Sequence, residues 1–271
     1  MMGFIKGKTG FVRPTFDEYP NRYTEIETVN YLVESEDFSY SASDLIEYFD
    51  KTTISNLVLV NPDNPSGNYI PKNDMLRMIS WARDKGIKII IDESFVDFST
   101  EGKLNSLLSN DILEKNGHLI IIKSISKSYG VPGLRLGVLA SSDEELIAEM
   151  KKDVAIWNIN SFAEFYLQIY EKYAKDYAKA IEKFKQTRAA YIKDLQALSG
   201  LRVLPTQANY VLCEVTSGVT SRKLAEDLLE ENILIKDLST KKGFDGKNYI
   251  RLAVRDEKDN AILVEALKRY L

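Results

Sequence analysis

The chain of 271 residues is 44% hydrophobic, enough for a full core in one large domain with a smaller one beside it. Charged residues make up 28% and the formal net charge is -4, so no basic excess points to nucleic acid or to an anionic membrane. One histidine (His118) and one cysteine (Cys213) make a zinc site or a Cys–His nucleophile pair a poor fit. The longest apolar runs are only strand-length, so a soluble, cytoplasmic protein is expected, its chemistry left to lysine, carboxylates, amides and arginine.

In chain order, Phe11–Tyr19 starts as a short strand and turns at Pro14, and Thr28–Val33 reads as a second strand. The Ser41-x-x-Asp44 pattern predicts a helix start running to about Phe49. Asn56–Val60 is a nearly all-apolar strand that ends in Asn61-Pro62-Asp63-Asn64-Pro65-Ser66-Gly67, where two prolines in four residues forbid either regular element. A helix is predicted from about Pro71 to Lys85, stopped by Gly86, followed by a strand at Ile87–Ile91 that ends in Asp92. Leu119–Lys123 and Leu136–Ala140 read as strands, and Ser142-Asp143-Glu144-Glu145 as the capping box of a helix ending near Lys152. Mostly apolar strands alternating with helices argue for a parallel sheet covered on both faces.

From Ser161 to about Leu198 the pattern becomes one long charged helical stretch, broken at most once. Strands are expected at Arg202–Leu204, Asn209–Val215, Ile233–Ile235 and Tyr249–Val254, with helices near 221–231 and 257–270. The expected division is a large domain over 1–160, then an interdomain helix and a small α+β domain over 161–271.

The stretch that concentrates chemistry is Ser124-Ile125-Ser126-Lys127, continuing through Gly130 and Gly133 to Arg135 and Gly137. It follows a buried strand, the place where open α/β sheets put their ligands. Hydroxyls, backbone N–H groups and the Arg135 fork can bind a phosphate dianion, and Lys127 can condense with an aldehyde. An isolated S-x-S-K is most often a solvated loop. The longer pattern S-x-S-K-x-x-G-x-x-G-x-R-x-G is far more specific and resembles the pyridoxal-phosphate (PLP) lysine motif of the class I/II aminotransferases, fold type I.

Together with Pro14-Thr15-Phe16, Asn64-Pro65-Ser66-Gly67 and Asp92, in this order and spacing, the motif resembles the histidinol-phosphate aminotransferase and threonine-phosphate decarboxylase branch. That resemblance implies Phe16 against the cofactor ring, Asn64 on its 3-oxygen and Asp92 on the ring nitrogen. It also implies Ser124, Ser126 and Arg135 around the phosphate, and Lys127 as a partly buried Schiff-base lysine and proton carrier. Arg251, in Tyr249-Ile250-Arg251-Leu252, matches the arginine that grips the substrate α-carboxylate; without the family it would read as a salt-bridged edge-strand residue. The implied activity is transfer of an amino group between a small amino acid or amine, with or without a phosphate or phosphonate, and a 2-oxo acid, in a homodimer. The alternatives are a PLP-dependent decarboxylase and a non-catalytic piece of a larger protein.

Some residues depart from the pattern. Phe95 stands where most of the family has tyrosine, so the ring oxygen leans on Asn64. Lys236 stands where relatives carry arginine for a substrate phosphate, keeping the charge without the bidentate fork. The family's front quarter, with a glycine loop and a partner-chain tyrosine for the phosphate, has no counterpart here, which suggests a fragment.

Overall fold

A computed structural model describes residues 5–23 and 28–271 of the protein. Six strands form one sheet: β1 (Thr9–Arg13), β2 (Thr28–Leu32), β3 (Asn56–Val60), β4 (Lys88–Asp92), β5 (Leu119–Ser124) and β6 (Gly137–Ala140). Their order is β2-β1-β3-β4-β5-β6. All neighbours are parallel except β5 and β6, which run antiparallel. The central strands β3 and β4 are almost wholly buried, because helices and loops cover both faces. One face packs Leu57, Leu59, Ile89 and Ile91 against α2 (Ala42–Asp50) and α3 (Lys72–Asp84), the former following α1 (Glu18–Asn21). The other packs Val58, Ile90 and Ile120 with Phe11 and Tyr23.

Local chemistry sets the ends of these elements. Ser41 and Asp44 form the expected capping box, each satisfying the other's backbone N–H. Gly86 stops α3 with φ +70°. A short α4 (Asn110–Leu113) precedes β5, and α5 (Ile125–Ser128) follows it directly, so the lysine motif turns sharply at the strand's carboxyl end. At α6 (Glu144–Lys152) the sequence expectation is corrected. The cap is Asp143, which accepts from Leu146 N at 2.9 Å, while Ser142 Oγ donates to the Leu113 carbonyl instead.

The long helical stretch is α7 (Ser161–Ile169), a 3₁₀ turn at Tyr170–Tyr173, and α8 (Ala174–Gln196). A second, antiparallel sheet has the order β7 (Leu201–Val203), β8 (Tyr210–Val215), β10 (Tyr249–Ala253), β9 (Lys236–Asp237). It packs on α8, α9 (Ser221–Glu230) and α10 (Glu257–Tyr270) through Val211, Cys213, Ile250, Leu252, Leu224, Leu267 and Leu195. Cys213 is one of these core residues, and burial pushes its thiol above the usual range.

The strand expected at Ile233–Ile235 lies instead at Lys236–Asp237. Asn232 takes φ 60°, and the N–H groups of Asn232 and Ile233 bond back to Leu229 O and Leu228 O. That is a Schellman stop for α9, so the apolar triplet closes a helix before the chain becomes extended.

Candidate active site

Asp92 ends β4 and is buried; its Oδ1 accepts from the backbone N of Ser94 at 2.8 Å and from Ser94 Oγ at 2.5 Å. The side chain thus closes a turn on its own backbone two residues on. Its Oδ2 accepts from Tyr19 OH at 2.6 Å, an α1 residue brought across the end of the sheet. Burial raises the Asp92 carboxyl above its usual range, against the lowering pull of the Ser94 and Tyr19 bonds. Ser94 Oγ also accepts from Ser124 N at 2.9 Å, which locks the end of β4 to the end of β5, where the lysine motif starts.

Lys127 sits in α5, three residues beyond Ser124, and is exposed, not the partly buried amine that the sequence suggests. Lys123, the neighbouring lysine, is buried in β5 and donates to Asp97 Oδ1 at 2.9 Å. Arg135 closes the loop with φ 56° and ψ 44°, a left-handed conformation that costs a non-glycine residue about 1 kcal/mol. It too is exposed, with Nη1 donating to the Pro132 carbonyl.

After β3, the Asn61–Gly67 turn is held by its own polar side chains: Asn61 bonds both backbone groups of Ile70, and Asp63 accepts from Thr15 Oγ1 at 2.8 Å and Ser66 Oγ at 2.6 Å. Tyr210 OH in β8 donates to the Asp63 carbonyl at 2.5 Å, so the second sheet grips this turn directly. The turn presents Asn64, whose Oδ1 accepts from Arg251 Nη1 at 2.6 Å. Arg251 lies on β10, which is internal to its sheet, between β8 and β9. Its guanidinium stands over the Tyr210 ring at 5.1 Å, and among the described residues it forms no salt bridge. It is therefore neither an edge-strand residue nor an ion-paired one. A desolvated guanidinium without an acidic partner is a ready carboxylate site.

These residues share one cavity of about 590 Å³, whose lining includes Phe16, Tyr19, Asn64, Asp92, Ser94, Phe95, Ser124, Lys127, Arg135, Asn209, Tyr210 and Arg251. A second cavity of about 330 Å³ shares Phe16, Asn64 and Arg251 as walls and adds Asp17, Lys236 and Lys241. A larger cleft of about 730 Å³ runs along α8, but its lining from Ala178 to Glu257 includes none of these groups.

Of the residues expected from sequence, Phe16, Asn64, Asp92, Ser124, Lys127, Arg135 and Arg251 line the main cavity. Lys236 lines the adjoining one. Ser126 lines neither; it is buried and its hydroxyl donates to the Leu136 carbonyl at 3.4 Å. Phe95 packs edge-on against Tyr210 at 5.2 Å. Tyr19, Ser94 and Tyr210 were not singled out by sequence, since their partners lie far away or on a turn that only the folded chain forms. Ser94 alone had a local signal, its place two residues after a strand-ending aspartate.

The chain matches the family model "Aminotransferase class I and II" over residues 11–267. It belongs to the class I and II aminotransferase family. Among curated proteins, it is 32% identical over 264 residues to the CMP-5'-(3-aminopropyl)phosphonate synthase of Streptomyces rubellomurinus, covering 97% of this chain and 41% of that protein. It is 31% identical to the L-serine phosphate decarboxylase of Sulfurospirillum multivorans, covering 97% of this chain and 68% of the relative. The crystal structure of the histidinol-phosphate aminotransferase from Clostridium acetobutylicum superposes with a TM-score of 0.88 at 28% identity, over 99% of this chain and 79% of that one. The chain thus spans less than half the length of the first of these relatives. The aminotransferase fold is type I, and the cofactor this family implies is pyridoxal 5'-phosphate.

The residues present fit that cofactor. Asp92 lines the cavity, and its Oδ2 accepts one hydrogen bond, from Tyr19, so it retains acceptor capacity for a ring N–H. Among the described residues the amide nitrogen of Asn64 makes no hydrogen bond, which leaves a donor for a ring oxygen. Lys127, Ser124 and Arg135 line the same cavity, which gives it an amine and two groups able to bind an anion.

Proposed function

We propose that this aminotransferase-family protein moves an amino group between an amino acid carrying a distal phosphate or phosphonate and a 2-oxo acid. The observation that carries the reading is the Arg251–Asn64 hydrogen bond, which ties a guanidinium without an acidic partner among the described residues to the amide assigned to the ring oxygen. A substrate carboxylate gripped by Arg251 would be held next to Asn64 and kept on its α-carbon, which would leave the α-hydrogen as the group to be taken.

The roles then follow from side-chain chemistry. Phe16, Asn64, Asp92, Ser124, Arg135 and Lys127 would hold the cofactor, with Phe16 against the ring face. When bound, pyridoxal 5'-phosphate supplies a sink for the electron pair left when a bond at the substrate α-carbon breaks. Asp92 keeps a proton on the ring nitrogen, steadied by Ser94 and Tyr19. The Lys127 amine would take the α-proton from the substrate and serve as its carrier. Arg251 orients the carboxylate, and Lys236 faces a distal anion from the adjoining cavity.

A second reading, decarboxylation, is favoured by the L-serine phosphate decarboxylase relative. Here the carboxylate leaves as carbon dioxide and Lys127 gives a proton to the α-carbon in its place. Supplying O-phospho-L-serine with 2-oxoglutarate and pyridoxal 5'-phosphate separates the two. Glutamate formation supports amino transfer, carbon dioxide release without glutamate supports the second reading, and neither product with any phosphorylated amino acid overturns both.

A second copy of the chain is the partner this reading expects. An exposed apolar segment is available to it, where Ile156, Trp157 and Phe162 are 90%, 91% and 79% exposed. The segment is tied to the Arg135 loop by Asn160 Nδ2 donating to Leu134 O, so a copy seated there would flank the cavity on its phosphate side.

A further inference from the structure

The adjoining cavity contains an ion pair that no step of the proposed reaction uses. Lys241 comes from the loop after β9, and its Nζ bonds Asp17 Oδ2 on the Phe16 turn. The other carboxylate oxygen of Asp17 lies 3.6 Å from Arg13 Nη1. One half-exposed carboxylate therefore stands between two largely buried cations, Lys241 at 13% and Arg13 at 8% side-chain exposure.

Lys241 cannot easily be carried away from this place. Its loop presses on the Pro14 turn at Gly243, which has φ +100°; a Cβ there would lie 2.8 Å from Pro14 N. The other carboxylate of the cavity, Asp237, is already occupied by Ser221 Oγ at 2.7 Å and by Ser239 N and Oγ at 3.0 and 2.7 Å. What remains facing the space is cationic: Lys236, Lys241 and Arg251 against Asp17.

We infer that Lys241 joins Lys236 in reading the substrate's distal anion, and that Asp17 is the resident counter-ion of Lys241, displaced when that anion enters. This rests on the phosphorylated-substrate reading above. A buried ammonium needs a partner in the free protein, and Asp17 provides it. A phosphate carries nearly two charges and three strong acceptor oxygens, so it outcompetes a single half-exposed carboxylate. Asp17 then relaxes into water beside Arg13.

Two substitutions of opposite sign test this. Isothermal titration of O-phospho-L-serine and of L-serine into the full chain, without added cofactor, reads affinity independently of turnover. Lys241→Met should weaken O-phospho-L-serine binding by roughly tenfold to a hundredfold, the loss of one charge-assisted contact. Asp17→Asn should strengthen it by about threefold to tenfold, since nothing has to be displaced, and L-serine should respond to neither. A purely structural pair would make both variants weaker. Weakening by both, equal effects on L-serine, or a wild type that does not prefer the phosphorylated ligand would overturn the inference. If Lys241→Met fails to fold, the Asp17→Asn arm and Lys241→Gln still decide it. Amino transfer or carbon dioxide release seen without this contrast would sink the inference alone. The contrast without either product would sink the proposed reaction alone.

Discussion

Arg251 and Asn64, 187 residues apart in sequence, meet at 2.6 Å across the cavity, one from the middle of the antiparallel sheet and one from the turn that ends β3. Each depends on the other's position. Arg251→Lys keeps a charge but loses the fork that can hold Asn64 and a carboxylate together. We expect kcat/KM to fall by about a hundredfold or more, with KM for the amino acid rising. Steady-state kinetics with a fixed 2-oxo acid checks this, and an unchanged KM would remove Arg251 from carboxylate binding.

Lys127→Ala should abolish both turnover and the borohydride-stable attachment of pyridoxal 5'-phosphate. Lys123 is the nearest rival in sequence, but its amine is buried against Asp97. Peptide mapping after reduction should therefore find the label on Lys127, and a label on Lys123 would show that this ion pair opens and that the assignment is wrong.

Asp92→Asn should leave cofactor attachment largely intact while cutting kcat severely, because an amide cannot keep a proton on the ring nitrogen. Tyr19→Phe removes one donor to the same carboxylate and should have a milder effect in the same direction. Equal kcat in wild type and Asp92→Asn would take Asp92 out of the mechanism.

Much of this arrangement was legible before the structure. β3, β4 and β5 are nearly unbroken apolar runs because both faces of the sheet are covered, and the residues ending them line one cavity because strand ends meet at one edge. Tyr19, Tyr210 and Lys241 were not legible: their partners Asp92, Asp63 and Asp17 are 73, 147 and 224 residues away, and no local pattern encodes such a contact. The Ile233–Ile235 triplet looked like a strand because apolar composition alone cannot distinguish extended chain from a helix stop. The left-handed Asn232 decides that, and it depends on where α9 runs out.

The exposed face should drive self-association. Placing charge on it, with Trp157→Glu and Phe162→Glu together, should shift the chain toward a monomer while leaving both sheets folded, since neither side chain belongs to a core. Sedimentation velocity over a concentration series reads the difference. A wild type that stays monomeric throughout would overturn self-association through this face.

The turn that carries Asn64 should make stability depend on pH in a predictable sense. Asp63 is fully buried, and burial pushes its carboxyl up to about 6 from an ordinary 3.8, outweighing the lowering bonds from Ser66 and Thr15. Below pH ~4 the group is protonated in both folded and unfolded chains and costs nothing. Between about pH 4 and 6 the unfolded chain ionises first and binds fewer protons than the folded one, so stability falls as pH rises; above about pH 6 both are ionised and the loss is complete. Two pH units at ~1.4 kcal/mol each put the loss at about 3 kcal/mol. Asp63→Asn abolishes the titration while keeping an acceptor for Thr15. Urea unfolding of wild type and variant should therefore show a stability difference that declines by about that amount from pH 4 to 6 and is level above it. Comparing the two proteins cancels the carboxylates they share, such as Asp92 and Glu93, whose burial shifts them in the same direction. A difference that is flat, or that grows with pH, would show that burial does not hold Asp63 protonated against the bonds from Ser66 and Thr15.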